Sequence, residues 1–102
     1  MLSLRKKIIE ILKTIYDPEI PVNIWDLGLI YGVDIDAKNN ITIIMTFTSP
    51  NCPAIELLPR QIQEEIENNF LEIQNLDIKI VWDPKWSKNL MSEESKLELG
   101  IW

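Results

Sequence analysis

The chain's only cysteine, Cys52, stands in the segment TSPNCPA (48–54), between two prolines and directly after a run of strand-like residues. Pro53 suits the first position of an α-helix, where its missing N–H costs nothing. Cys52 would then lie at the N-cap or beside it. The partial positive charge there favours a reactive or metal-ligating thiolate, although Glu56 in the same turn opposes part of that effect. We therefore expect a sulfur that solvent can reach, rather than a small buried side chain.

Three carboxylates in turn-like sequences could belong to the same site as Cys52. Asp17 and Glu19 belong to a DPE motif, and Asp26 belongs to a DLG motif. Ferrous iron accepts carboxylates and thiolates, so these three carboxylates and Cys52 are the predicted ligands of a weak, open iron site. The alternative is structural, with Asp26 capping the turn that Gly28 closes.

A single thiol limits what such a site can hold. Iron–sulfur clusters normally need about four thiolates, and this chain supplies one. We therefore predict no intrinsic cofactor. Iron or a cluster would be held only transiently, shared between the two thiols of a homodimer or completed by the cysteines of another protein.

The composition excludes several classes of function. Histidine is absent, which removes catalytic triads, histidine-based acid–base catalysis and most zinc sites. One cysteine cannot form an internal disulfide, which fits a reducing compartment. The net charge of −6 argues against a nucleic-acid partner, and no apolar run approaches the ~20 residues that cross a bilayer. We expect a cytoplasmic protein that is not an enzyme and has no membrane partner.

Helical periodicity predicts three helices around these motifs. The first runs from a candidate N-cap at Ser3 towards Asp17-Pro18, because proline disfavours helical geometry in the residue before it. A second follows Cys52 and contains an awkward Pro59, which predicts a kink or a distinct first turn. A short third helix over 92–99 would be capped by serine and glycine. The apolar positions of the first two are Leu4, Ile8, Ile11, Leu12 and Ile15, then Ile55, Leu58, Ile62 and Ile66.

A period of two predicts three strands, over 29–36, 41–48 and 76–82, of which the first two form a hairpin. The order α-β-β-α-β with a short terminal helix predicts a single α+β domain over 1–102, in which helices cover one face of a small mixed sheet. Asp26 precedes the first strand and Cys52 follows the second, so both should lie at the same end of the sheet. The order of the strands stays open.

The tryptophans of the last third of the chain suggest a contact surface. Trp82 has the parity of the core face of the third strand, so we expect it to be buried. Trp86 stands in a loop without periodicity, and exposed aromatic side chains are enriched at interaction surfaces. Trp86, together with Pro84 of the same loop, is therefore the predicted partner contact.

Three segments in order, YDPEIPVNIWDLGLIYGVDI (16–35), MTFTSPNCP (45–53) and VWDPKWSKNLMSEESKLELG (81–100), are spread over residues 16–100 of the chain. Together they resemble the SufT/PaaD-like family of iron–sulfur cluster assembly accessory proteins. The resemblance implies the same α-β-β-α-β core and a non-catalytic role with the assembly machinery and client apoproteins as partners. It assigns the family's acidic motif to residues 17–19, its DLG turn to 26–28, its cysteine to Cys52 and its tryptophan-rich loop to Trp82, Pro84 and Trp86.

Two other functions remain open from the sequence. The PaaD-like branch suggests a small subunit that assists metal-centre assembly in an oxygenase system, although the extra cysteine-rich sequence often found there is absent. A thiol-dependent transferase using Cys52 is weakened by the lack of a histidine to activate the thiol and of a CxxC partner to resolve it.

Overall fold

The computed structural model describes residues 3–49 and 53–100, and its elements follow the predicted order. They are α1 (Leu4–Leu12), β1 (Ile30–Ile35), β2 (Asn40–Met45), α2 (Ala54–Asn69), β3 (Asn75–Ile80) and α3 (Glu93–Leu99), with a short 3-10 turn, Lys88–Leu90, before α3. This order confirms the α+β class. Cys52, with its two preceding residues, lies outside the described residues.

β2 is the central strand of the sheet, an order that the sequence had left open. β1 pairs with it antiparallel, with Ile35 opposite Ile41 and a register shift between Ile30 and Gly32. β3 pairs with the other edge of β2 in parallel, with Leu76 opposite Ile41. A parallel pair needs a long crossover, and α2 supplies it. The sheet is therefore mixed, as predicted.

The helices and one face of the sheet share a core. On β2 the buried Ile41, Ile43 and Met45 alternate with Thr42 and Ile44, which are only partly buried. Opposite them the helices contribute Ile8 and Leu12 from α1 and Leu58, Ile62 and Ile66 from α2. This confirms the two-layer arrangement. Over residues 3–49 and 53–100, no helix is both long and apolar enough to cross a membrane.

α1 begins where predicted but ends earlier. The Ser3 hydroxyl accepts a hydrogen bond from a first-turn amide at 3.2 Å, which confirms the N-cap. The helix ends at Leu12 and does not continue towards Asp17, so the predicted end is wrong. Ile15 is buried from the following loop, where its carbonyl accepts a hydrogen bond from the Ile24 amide at 2.8 Å. Because this tertiary bond holds Ile15, its burial does not require a helix.

α2 is one continuous segment through Pro59. A proline removes one bond of the helical ladder, and burial of the apolar face of α2 offsets that loss. Pro53 takes the N-cap position, one residue before its predicted place. In α3 both predicted caps are confirmed, since the Ser92 side chain accepts a backbone N–H and Gly100 adopts a left-handed conformation with φ of 70°.

Candidate functional site

Three backbone hydrogen bonds bring the loops of the predicted site to one end of the sheet. The Ile24 amide donates to the Ile15 carbonyl at 2.8 Å, and the Leu29 amide donates to the Ile24 carbonyl at 3.1 Å. The Thr46 amide then donates to the Leu29 carbonyl at 2.8 Å. Since Leu29 directly precedes β1 and Thr46 directly follows β2, the DLG turn and the segment leaving β2 start from the same sheet end. Cys52 lies beyond the described part of that segment.

Asp17 is a buried carboxylate that shapes the DPE turn. Its side chain is only 6% exposed, and Oδ1 accepts hydrogen bonds from the amides of Glu19 at 2.8 Å and Ile20 at 3.0 Å. Oδ2 is also buried and has no hydrogen-bond partner among the described residues. A buried carboxylate oxygen without a donor is costly, so Asp17 retains the capacity for one more donor or a cation. Glu19, by contrast, is exposed.

Asp26 belongs to a single helical turn that begins at Asn23. The Asn23 side-chain oxygen accepts from the Asp26 amide at 2.9 Å, and its Nδ2 donates to Asp26 Oδ2 at 2.8 Å. This reciprocal pair resembles a capping box, in which the first residue of the turn and the residue three places later bond to each other. The Asp26 carboxylate is therefore bonded at the start of this turn, to Asn23. Asn23 was missed from the sequence, although the N-x-x-D spacing was a signal.

Gly28 closes the same turn and lets another loop approach it. The Leu29 amide bonds to the Ile24 carbonyl and the Gly28 amide to the Trp25 carbonyl, the two bonds of a Schellman motif, with φ of 85° at Gly28. A Cβ at Gly28 would collide with the backbone carbonyl of Leu90. The glycine is thus required both for the left-handed backbone and for close contact with the C-terminal loop.

The C-terminal loop is held against the DLG turn and β1 by long-range hydrogen bonds. The Tyr31 hydroxyl donates to the Pro84 carbonyl at 2.7 Å, and the Ser92 amide donates to the Asp26 carbonyl at 2.8 Å. Burial raises the pKa of the Tyr31 hydroxyl above 10.0, and the charge of Asp83 adds to the shift. The loop that carries the tryptophan motif therefore has a fixed position beside the motif at 26–28.

The two tryptophans of this loop have the opposite exposure to the one predicted. Trp86 is partly buried and its Nε1 donates to the Leu27 carbonyl at 2.8 Å, so it is a packing residue. Trp82 is 46% exposed, and Ile80, which has the same parity and lies inside β3, is itself 37% exposed, so the cover over this face of β3 already ends before the strand does. The predicted burial of Trp82 and exposure of Trp86 are both wrong. Pro84 is exposed, as a contact residue requires, and the partner contact predicted for Trp86 and Pro84 stays a prediction.

Thr46 is a second exception to strand parity. Alternation with the buried Met45 would place its side chain on the opposite face of the sheet, yet it is completely buried. Its Oγ1 has no hydrogen-bond partner in the part of the chain that the structure describes. Thr46 lies one residue past the end of β2, where loops rather than the sheet decide which side is covered.

The three predicted carboxylates do not form a metal site by themselves. Within the described ranges, no three acidic or cysteine side chains come together in a group that could hold a metal ion. Asp17 is bonded within its own turn, while Asp26 is bonded to Asn23. The predicted set also includes Cys52, which lies outside the described residues, so the shared site of Asp17, Glu19, Asp26 and Cys52 stays a prediction.

Asp26 and Pro84 nevertheless border one cavity of about 590 Å³ beside the DLG turn. Its remaining described lining residues are Trp25, Gly28, Ile30, Tyr31, Leu90 and Ser92. The walls are largely aromatic and aliphatic, and the single carboxylate is Asp26. The cavity therefore joins two motifs that lie far apart in the sequence.

Comparison with a family model and with solved structures identifies the family of this chain. A family model described as "Iron-sulfur cluster assembly protein" matches residues 5–71. A solved domain of unknown function, DUF59, from Bacillus anthracis is 37% identical, with a TM-score of 0.89 over 95% of this chain and 92% of that one. The chain belongs to the iron–sulfur cluster assembly protein family.

Two relatives are named as iron–sulfur protein maturation factors. An "Fe-S protein maturation auxiliary factor" from Porphyromonas gingivalis is 43% identical over 98% of this chain and 94% of its own length. The auxiliary factor SufT from Staphylococcus aureus is 37% identical over 85% of this chain and 98% of its own length. The SufT-like resemblance inferred from the three sequence segments is thereby confirmed.

Proposed function

We propose that this protein is an auxiliary factor in the maturation of iron–sulfur proteins, acting by binding rather than by catalysis. The observation that carries the proposal is the 43% identity, over nearly the whole of both chains, to a protein named as such a factor. The absence of histidine and of a second cysteine is consistent with a binding role, because a catalytic thiol would lack both an activating base and a resolving partner.

Cys52 is the proposed functional thiol. The described segments on either side of it run from the buried end of β2 to the start of α2, at the sheet end that also carries the DPE and DLG turns. The cargo is iron or an iron–sulfur cluster, bound transiently. One thiolate cannot hold a cluster, so the remaining ligands come from a second copy of the chain or from a client.

The carboxylate of Asp17 supports this assignment more strongly than those of Glu19 and Asp26. Its Oδ2 is buried without a described donor, whereas Asp26 Oδ2 already accepts from Asn23. Hard carboxylate oxygens of this kind suit ferrous iron better than they suit a cluster. The partners are the assembly machinery and client apoproteins in the cytoplasm.

The test combines Cys52→Ser in cells with anaerobic reconstitution of the purified protein. Cys52→Ser should abolish iron–sulfur absorption after reconstitution and lower the activity of iron–sulfur enzymes in cells, while the protein stays folded. Ser87→Ala, an exposed position whose side chain makes no cap hydrogen bond, is the control. Normal enzyme activities in cells that express folded Cys52→Ser would contradict the proposal.

A further inference from the structure

A second, smaller cavity lies next to the segment that leads to Cys52. It measures about 260 Å³, and its described lining is Phe47, Thr48, Ser49, Trp82 and Lys85. Phe47 is buried and Trp82 is half exposed, with ring centroids 6.1 Å apart and planes tilted by 41°. The two aromatic rings thus form one apolar wall that solvent reaches from the Trp82 side.

Lys85 gives this cavity a defined charge. It is the only charged residue among the described lining, and it forms no ion pair within residues 3–49 and 53–100. Thr48 and Ser49 add hydroxyl groups. The cavity is therefore apolar at its aromatic wall and positive at one side, on a chain whose net charge is −6.

The size of the cavity limits its occupant. Sites for whole drug-sized ligands measure about 300–1,000 Å³, so 260 Å³ fits a single large side chain better. Half-exposed tryptophans beside apolar pockets are frequent anchors of protein interfaces. An apolar side chain against the aromatic wall would bring the next residue of its chain towards Lys85, where an acidic group would be favoured.

We propose that this cavity docks a client polypeptide through an apolar side chain that is adjacent to an aspartate or glutamate. The identification of the partner as a client rests on the proposed function; the chemistry of the site rests on Phe47, Trp82 and Lys85. Ser49 stands three residues before Cys52 in the sequence, so a client held here is presented to the segment that carries the thiol. The site would select which proteins approach it.

The test is a titration of the ¹⁵N-labelled full chain with the peptide acetyl-Gly-Ser-Phe-Asp-Ser-Gly-amide, followed by amide and indole NMR shifts. The shifts should be centred on Phe47, Trp82 and Lys85. Replacing phenylalanine by serine in the peptide, or aspartate by asparagine, should weaken binding. Trp82→Ala should weaken it at least about five-fold, as expected for an anchor residue.

Lys85→Glu separates docking from folding, because the residue is exposed. It should weaken binding of the Phe-Asp peptide by about two- to five-fold. It should strengthen binding of the same peptide with lysine in place of aspartate, the Phe-Lys peptide, by a similar factor. The matched controls Lys7→Glu and Leu97→Ala, both exposed and absent from the lining, should change neither affinity. An unchanged response of Lys85→Glu to both peptides, or no shift at Trp82 at millimolar peptide, would overturn the proposal.

The two proposals fail independently. If the peptide binds at the cavity but Cys52→Ser still supports normal iron–sulfur protein maturation, the docking site stands and the proposed role of the thiol is rejected. If Cys52→Ser abolishes maturation but the peptide does not bind at the cavity, the role of the thiol stands and the docking site is rejected.

Discussion

The indole Nε1 of Trp86 donates a hydrogen bond of 2.8 Å to the carbonyl of Leu27, a residue 59 positions earlier in the chain. Leu27 itself is fully buried in the turn that Asn23 begins and Gly28 ends. This one bond therefore links the tryptophan-rich loop to the DLG turn. The order of these two motifs along the chain is evident from the sequence, but their contact is not.

Trp86→Phe tests that link. The substitution keeps an aromatic ring but leaves the Leu27 carbonyl without its donor, and an unsatisfied buried acceptor costs about 1–3 kcal/mol. We expect the melting temperature to fall by roughly 4–8 °C for every kcal/mol lost in a domain of this size. Trp82→Phe, the same change at a half-exposed ring, is the control and should shift the melting temperature less. Equal shifts would mean that the hydrogen bond adds nothing.

Gly28→Ala should lower the free energy of unfolding much more than Gly100→Ala. Both glycines have positive φ, 85° and 70°, so each alanine pays a backbone strain of about 1–2 kcal/mol. At Gly28 the new Cβ also meets the Leu90 carbonyl, whereas nothing lies within 4 Å at Gly100. We expect a loss of about 2–5 kcal/mol at Gly28, measured by urea unfolding. Similar losses at both positions would contradict the close approach of the C-terminal loop.

Substitutions at Asp17 can separate its structural and functional roles. Asp17→Ala removes the acceptor of two backbone amides and should destabilise the protein by about 1–3 kcal/mol. Asp17→Asn keeps Oδ1 and should stay within about 1 kcal/mol of the wild type. If the carboxylate is also a ligand, folded Asp17→Asn should bind less ferrous iron under anaerobic conditions. Unchanged iron binding by Asp17→Asn would assign Asp17 to the turn alone.

Asp36 makes a pH-dependent contribution to stability in the hairpin turn. The side-chain amide of Asn40 donates to Oδ2 at 2.9 Å, and the amides of Asn40 and Lys38 donate to Oδ1 at 2.9 and 2.8 Å. These bonds, led by the Asn40 side chain, hold the pKa of the carboxyl below its ordinary value of 3.8. The stabilisation is complete above pH 3.8 and is lost as the pH falls through the lower folded pKa.

Asp36→Asn should therefore be less stable than the wild type near neutral pH, and the difference should shrink as the solution is acidified below pH 3.8. Urea unfolding over a pH series measures the difference, and NMR titration of the Asp36 carboxyl gives the folded pKa directly. If the difference in unfolding free energy between Asp36→Asn and the wild type does not change with pH, the carboxylate charge does not contribute to that difference.

Local patterns in the sequence predicted most of the elements. The caps at Ser3, Ser92 and Gly100 depend on bonds within one turn, so the residue types themselves indicate them. The alternation of Ile41, Ile43 and Met45 likewise predicted which face of β2 is buried, because strand geometry fixes side-chain direction within the strand. Family membership followed from three motifs and their order.

Tertiary structure alone decided what happens beyond the ends of the elements. Trp82 is exposed, Trp86 and Thr46 are covered, and Ile15 is buried from a loop, because partners distant in sequence set the surroundings of each of these residues. The same holds for the order of the strands and for the contact between the Gly28 turn and Leu90. Periodicity describes how side chains project from a regular backbone; once the backbone leaves the helix or strand, only long-range contacts determine burial.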